Sequence, residues 1–167
     1  MNYYKMQVTS PVGQLTLIAT EAALCAVLWE NDNPNRVKLG QHKVNLELPI
    51  LLEAERQLLE YFSEKRRKFS LKLAFKGTEF QNQVWKALQT IPFGQTRSYS
   101  DLAKQIGRPK AQRAVGAANR VNPIAIIIPC HRVLGANGTL TGFAGGLATK
   151  AALLNLECKE GEFYETK

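Results

Sequence analysis

Cysteine is scarce in this 167-residue chain: three residues, Cys25, Cys130 and Cys158, an odd number with no CxxC pair. That excludes a disulfide framework and a cysteine-built zinc site, and leaves a thiol as the only special task a cysteine could have. Long apolar runs are missing too. A run such as Ile124 to Cys130 is far too short to cross a bilayer. The opening MNYYKMQVTS lacks a basic segment leading into an apolar core, so no secretory signal is read and the reducing cytoplasm is the expected compartment. Glycine (12) and proline (7) show no excess, against collagen-like or low-complexity chains. What is present, 45% apolar residues, suffices for a buried core in one domain or two small ones.

Acidic side chains are nearly absent from one stretch. Residues 80–150 carry nine basic residues (Lys86, Arg97, Lys104, Arg108, Lys110, Arg113, Arg120, Arg132 and Lys150) against the single acid Asp101, which is the whole net charge of +8. Residues 1–75 are nearly balanced, and the tail from 151 is net acidic, four glutamates against Lys159 and Lys167. A polyanion partner is therefore expected on 80–150, where phosphate neutralisation would drive binding. Charge alone does not separate this from a merely basic surface.

The first third reads as a β-meander. Met6–Ser10, Leu15–Ala19 and Leu24–Trp29 are expected as three antiparallel strands. Over Pro49–Glu64, Leu51, Ala54, Leu58, Tyr61 and Phe62 fall at helical spacing with proline in the first turn, predicting an amphipathic helix on the sheet. Lys65-Arg66-Arg67-Lys68 invites a nucleic-acid reading, but four cations at a helix C-terminus also suit its dipole, and a solvated helix end is the favoured reading. Phe69, Leu71, Leu73 and Phe75 alternate with Ser70, Lys72, Ala74 and Lys76, which predicts one more strand. Gly77 breaks the pattern, and a domain boundary falls there, giving domains 1–76 and 77–167.

Thr78 and Gln81 form a capping box for a helix carrying Phe80, Val84, Ala87 and Leu88. A short helix capped by Ser100 and ended by Gly107 follows, then a second over Lys110–Arg120, poor in bulk (Ala111, Ala114, Gly116, Ala117, Ala118) and basic. The pair looks like a helix-turn-helix whose small residues let its backbone approach nucleic acid. The same alanines would also suit a tightly packed helical hairpin, and the two readings are compatible on opposite faces.

Ile124 to Ile128 reads as a buried strand ended by Pro129, so that Cys130 emerges at a strand end. His131 and Arg132 supply positive surroundings of the kind that favour a thiolate. On an extended chain neighbouring side chains point apart, so His131 could serve Cys130 only through a turn or a water. Cys25 reads as core, Cys158 as incidental, and His42 as a surface residue in a loop.

Asn122-Pro123 through Pro129-Cys130-His131-Arg132-Val133 resembles the active-site signature of the methylated-DNA–protein-cysteine methyltransferases, the O6-alkylguanine-DNA alkyltransferase family. Supporting matches span the second domain: Gly77-Thr78, Phe80-Gln81, Val84-Trp85, Ile91-Pro92, Ser98-Tyr99, Arg113 to Gly116, Gly145-Gly146-Leu147, Lys150 and Glu157. The resemblance implies an α/β (α+β) protein: an N-terminal ribonuclease-H-like domain of meander plus helix, and a mostly helical, winged-helix-like C-terminal domain with a helix-turn-helix.

It further implies direct reversal of O6-alkylguanine damage, with O4-alkylthymine as a second substrate, by irreversible single-turnover transfer to Cys130 without cofactor or metal. His131 is similar to the family's water-mediated general base, Glu157 to the carboxylate that orients it, and Asn122 to the residue holding the active-site turn. Lys150 matches the lysine of the family's last helix. Tyr99 resembles the tyrosine that assists nucleotide rotation and donates to guanine N3. Arg113 resembles the finger that replaces the flipped nucleotide, on a helix entering the minor groove, with Lys110, Ala111, Ala114, Gly116, Ala117 and Arg120 as further DNA contacts. The carbonyls of Cys130 and Val133, with the backbone N–H near Ala144, would complete the base pocket. Ala144 departs from the serine of some relatives, and Ala152 from the tryptophan of many. The implied partner is double-stranded DNA bearing alkylated guanine, met by a monomer in the cytoplasm, at the nucleoid. A redox-sensing DNA-binding regulator would share the charge and the helical pair but not the set Tyr99, Asn122 and Glu157.

Overall fold

The computed structural model describes residues 1–158; the tail residues Lys159 and Lys167, with three of the four glutamates counted above, lie outside the described residues. The chain is α/β and divides into two compact units, one of 1–75 with Pro123–Ala125, the other of 76–122 with the residues from 126 onward.

In the first unit β1 (Tyr3–Ser10), β2 (Gly13–Ala19) and β3 (Leu24–Leu28) form the meander, in the sheet order β3-β2-β1-β4. Register places Met6 opposite Leu17 and Val8 opposite Leu15, so one face carries the buried apolar set. Helix α1 (Pro49–Phe62) covers the sheet with Leu51, Ala54, Leu58 and Tyr61, all fully buried. Cys25 is core, as read from the sequence. The cations after α1 include Arg66, which is bound to Glu60 and to the Lys68 carbonyl.

Two expectations for this unit fail. The strand over 69–75 reduces to one bridge, Leu24 with Leu73, where Leu24 donates to the Lys72 carbonyl and accepts from the Ala74 N–H, both at 2.9 Å; nearer its start the backbone bonds to a side chain instead. The Gln57 side-chain amide exchanges two hydrogen bonds with the Ser70 backbone, at 2.9 and 3.1 Å, imitating a strand neighbour. His42 is exposed but belongs to a short parallel edge strand, β4 (His42–Val44), where a loop was expected. Pro123–Ala125 belongs to this first unit, with Val27 donating to the Pro123 carbonyl at 3.0 Å and accepting from Ala125 at 3.3 Å.

The second unit begins with α2 (Glu79–Leu88), whose Thr78–Gln81 capping box is formed in both directions. Next come β5 (Arg97–Ser98), α3 (Tyr99–Gln105) and α4 (Gln112–Arg120). The cap of α3 is Ser98, not Ser100: Ser98 accepts from the Asp101 N–H and Asp101 from the Ser98 N–H. That capping box holds the Asp101 carboxyl below its usual range. On α4 Val115, Gly116, Ala118 and Asn119 are buried while Arg113, Ala114, Ala117 and Arg120 are exposed, so one side of the helix packs and the other is open. Trp85 Nε1 donates to the Ala118 carbonyl at 2.9 Å, fastening the end of α4 to α2.

The run after Asn122 is buried but is not a strand. Ile126 sits at φ 71°, a left-handed conformation costing a β-branched residue about 1–3 kcal/mol. The chain instead turns into a 3-10 turn at Cys130–Arg132, then β6 (Val133–Leu134), which pairs in parallel with β5, and ends in α5 (Leu147–Glu157).

Candidate active site

The site is assembled by the 3-10 turn. With three residues per turn, successive side chains point about 120° apart rather than to opposite sides, so Cys130, His131 and Arg132 fan out from one small arc. Two asparagines hold the backbone around it: Asn122 Nδ2 donates to the Ile128 carbonyl at 2.8 Å, and Asn119 Nδ2 to the Cys130 carbonyl at 3.3 Å. Asn122 was expected from the sequence. Asn119 was not, since nothing local distinguishes a helix asparagine that reaches a loop eleven residues on.

His131 is wholly buried, and its Nε2 lies 2.7 Å from Glu157 Oε2. Glu157 also takes Arg132 Nε at 2.7 Å and Arg132 Nη2 at 3.1 Å, while Arg132 Nη1 donates to the Ile91 carbonyl at 2.6 Å. The sequence assigned Arg132 to the surroundings of the thiol; its guanidinium is in fact committed to this carboxylate. Gly94, at φ 79°, brings its N–H to within 3.4 Å of Glu157 Oε1, and a Cβ there would sit 3.1 Å from the Glu157 carbonyl oxygen, so the close approach itself requires glycine.

Burial pushes the His131 pKa down, in spite of Glu157. Burial alone would raise the Glu157 carboxyl, but the His131 and Arg132 contacts hold it well below the carboxylate range. A neutral imidazole donating Nε2–H to an ionised Glu157 follows. Its Nδ1, buried and without a hydrogen-bond partner among the described residues, then carries the lone pair and can accept a proton.

Lys150 is fully buried on α5, its ammonium without a hydrogen-bond partner among the described residues and 5.7 Å from the centre of the Phe143 ring. Burial pulls it down to about 8, with the charge of Cys130 opposing. Cys130 itself is 5% exposed and Val133 is fully buried. No disulfide joins the three cysteines, and among the described residues no cluster of three His, Cys, Asp or Glu is placed to hold a metal ion.

Tyr99 is brought beside this turn by the β5–β6 pairing, which sets Ser98 opposite Leu134. Its hydroxyl meets Thr141 Oγ1 at 2.8 Å. A groove of about 540 Å³ opens there, lined by Tyr99, Arg113, Gly116, Ala117, Arg120 and Thr141 among others. Lys110 is exposed just before α4 and Ala111 caps it, whereas Ala144 is exposed in the segment leading to α5. Thr141, the Arg132–Glu157 pair and Asn119 are the parts of the site not expected from the sequence.

Cutting the buried Arg132–Glu157 pair leaves a buried carboxylate with the neutral His131 and the Gly94 N–H but without its cation. Arg132→Ala should therefore lose about 3–5 kcal/mol of unfolding free energy, read from urea denaturation at pH 7. Glu157 is depressed on folding, so its contribution is present above about 4.5 and fades on acidification; His131, also depressed, acts in the same direction from about 6.5 downward. Wild-type stability should thus fall steadily from pH 7 to 4. A flat profile would contradict this charge assignment.

Residues 2–75 match the ribonuclease-like domain, and residues 79–159 the DNA-binding domain, of 6-O-methylguanine DNA methyltransferase. The chain is 50% identical over 148 residues to a methylated-DNA–protein-cysteine methyltransferase of Methanosarcina acetivorans, covering 89% of this chain and 94% of that protein. It is 46% identical over 159 residues to a constitutive enzyme of the same name from Bacillus subtilis, covering 94% and 96%. Among solved structures, Mycobacterium tuberculosis OGT in complex with DNA superposes with a TM-score of 0.85 at 44% identity, over 94% of this chain and 92% of that one. The arc of thiol, imidazole and carboxylate thus lies in a chain that belongs to the methylated-DNA–protein-cysteine methyltransferase family. No helix among the described residues is long and apolar enough to cross a membrane.

Proposed function

We propose that this protein repairs DNA by taking the alkyl group from O6 of guanine, and from O4 of thymine, onto Cys130, irreversibly and once per molecule. The observation that carries the reading is the buried array of Cys130 and His131 on one turn with Glu157 2.7 Å from the imidazole. His131 Nδ1 takes the thiol proton through a water; the thiolate forms the S–C bond as the C–O6 bond breaks, and guanine leaves with a proton gained in return. Tyr99, its hydroxyl oriented by Thr141, donates to N3 of the departing base. Lys150 supplies positive charge beside the thiolate, and Asn122 holds the turn. The base lies between the carbonyls of Cys130 and Val133, with the backbone near Ala144 facing O6.

A thiol 5% exposed cannot touch a base stacked in a duplex, which supports nucleotide flipping. The exposed face of α4, with Ala117 free of bulk and the buried Gly116 lining the groove beside it, is suited to the minor groove. Arg113 fills the vacated stack, and Lys110, Ala111, Ala114 and Arg120 contact the backbone. The protein acts as a monomer in the cytoplasm, on the nucleoid, through domains 1–76 and 77–167.

Intact-protein mass spectrometry after incubation with O6-methylguanine duplex tests the reading: one methyl group per chain, on Cys130, with product reaching a plateau at that stoichiometry. Continued turnover without added thiol, or modification of Cys158 instead, would overturn it. His131→Ala should slow transfer by about 10²–10⁴-fold, the usual worth of a positioned base. Glu157→Gln should slow transfer and raise the apparent thiol pKa in the pH–rate profile, because the imidazole loses the carboxylate that raises its basicity. Unchanged profiles in both would remove the pair from the mechanism.

A further inference from the structure

The Cys130 carbonyl already has two donors. Val133 N–H closes the 3-10 turn onto it, and Asn119 Nδ2 reaches it from α4 at 3.3 Å. A carbonyl oxygen has two lone pairs, so this acceptor is filled before any base arrives. Asn119 is 3% exposed, its Oδ1 buried without a partner among the described residues. The side chain is therefore anchored by one hydrogen bond alone, on the oxygen closest in the chain to the attacking sulfur.

We propose that Asn119 is a specificity-determining residue: its amide satisfies the Cys130 carbonyl in the empty site and yields to the exocyclic amine of an incoming guanine. This rests on the reading that Cys130 is the acceptor and that its carbonyl faces the base. A base without that amine leaves the Asn119 hydrogen bond in place and loses little. Asn119 thereby broadens the range of bases accepted, because no polar atom is orphaned when the amine is missing. Without the side chain, the carbonyl is fully paired only when an amine is present, and discrimination sharpens.

The test compares duplexes containing O6-methylguanine and O6-methylhypoxanthine, which differ by that amine, and takes the ratio of transfer rates. In Asn119→Ala the ratio of guanine to hypoxanthine should rise by about 2- to 13-fold over wild type, the span of one intramolecular hydrogen bond. A merely structural role would slow both substrates together and leave the ratio where it was, and that result overturns the proposal. Asn119→Leu fills nearly the same volume without a donor and replaces the alanine variant if the latter does not fold. Independently of either, the Asn119 side-chain amide resonances, in protein carrying Cys130→Ser so that the complex persists, should move further with the guanine duplex than with the hypoxanthine duplex. Equal movement overturns the proposal. If wild-type protein takes no methyl group from either duplex, it is the reading of Cys130 as acceptor that falls.

Discussion

Cys130→Ser takes up no alkyl group from O6-methylguanine duplex and still binds that duplex with near wild-type affinity. Oxygen replaces sulfur with little change of shape in a site where Cys130 is 5% exposed, so the turn, the Asn119 and Asn122 hydrogen bonds and the α4 face persist. What is lost is the anion: a serine hydroxyl is almost wholly protonated at neutral pH, and an imidazole whose pKa is lowered by burial is too weak a base to change that. Cys25→Ser and Cys158→Ser should react at close to the wild-type rate, since Cys25 is packed in the sheet and Cys158 follows the end of α5. Transfer surviving in Cys130→Ser, measured with isotopically labelled methyl, would refute the assignment of the acceptor.

Arg113→Ala separates DNA handling from chemistry. The side chain is exposed on α4 and lines the groove beside Tyr99, and its proposed task is to hold the duplex open after the nucleotide has rotated. Unpairing and unstacking cost a few kcal/mol, so its loss should slow reaction with duplex DNA by roughly 10- to 100-fold. The free O6-methylguanine base needs no flipping and should react at close to the wild-type rate. Tyr99→Phe, by contrast, removes a donor to the leaving base and should slow both substrates. Equal slowing of duplex and free base by Arg113→Ala would place Arg113 in the active-site shell and refute its role as the base-replacing finger.

The meander, the amphipathic α1, the Thr78–Gln81 capping box and the basic α4 were legible in the sequence, which also determined them, because each is written in contacts between residues a few positions apart: alternation, helical spacing, a side chain reaching its own helix end. The sequence also determined the chemistry-bearing residue types around Cys130, through the pattern Asn-Pro to Pro-Cys-His-Arg. Tertiary structure alone decided how they are used. Five consecutive buried residues at 124–128 satisfy a strand and a buried turn equally well in hydropathy. The turn is selected by the Asn122 amide, by Ile126 at φ 71° and by the bridge that Ile124 makes with Val27. Gln57 took the Ser70 backbone bonds, and the pairing of 69–75 with β3 is confined to the bridge at Leu73. Arg132, adjacent to the thiol in sequence, was claimed by a carboxylate 25 residues away, and Asn119 found the Cys130 carbonyl across eleven. Long-range hydrogen bonds between polar groups leave no periodicity in a sequence. Their partners are fixed only when burial removes water as the alternative.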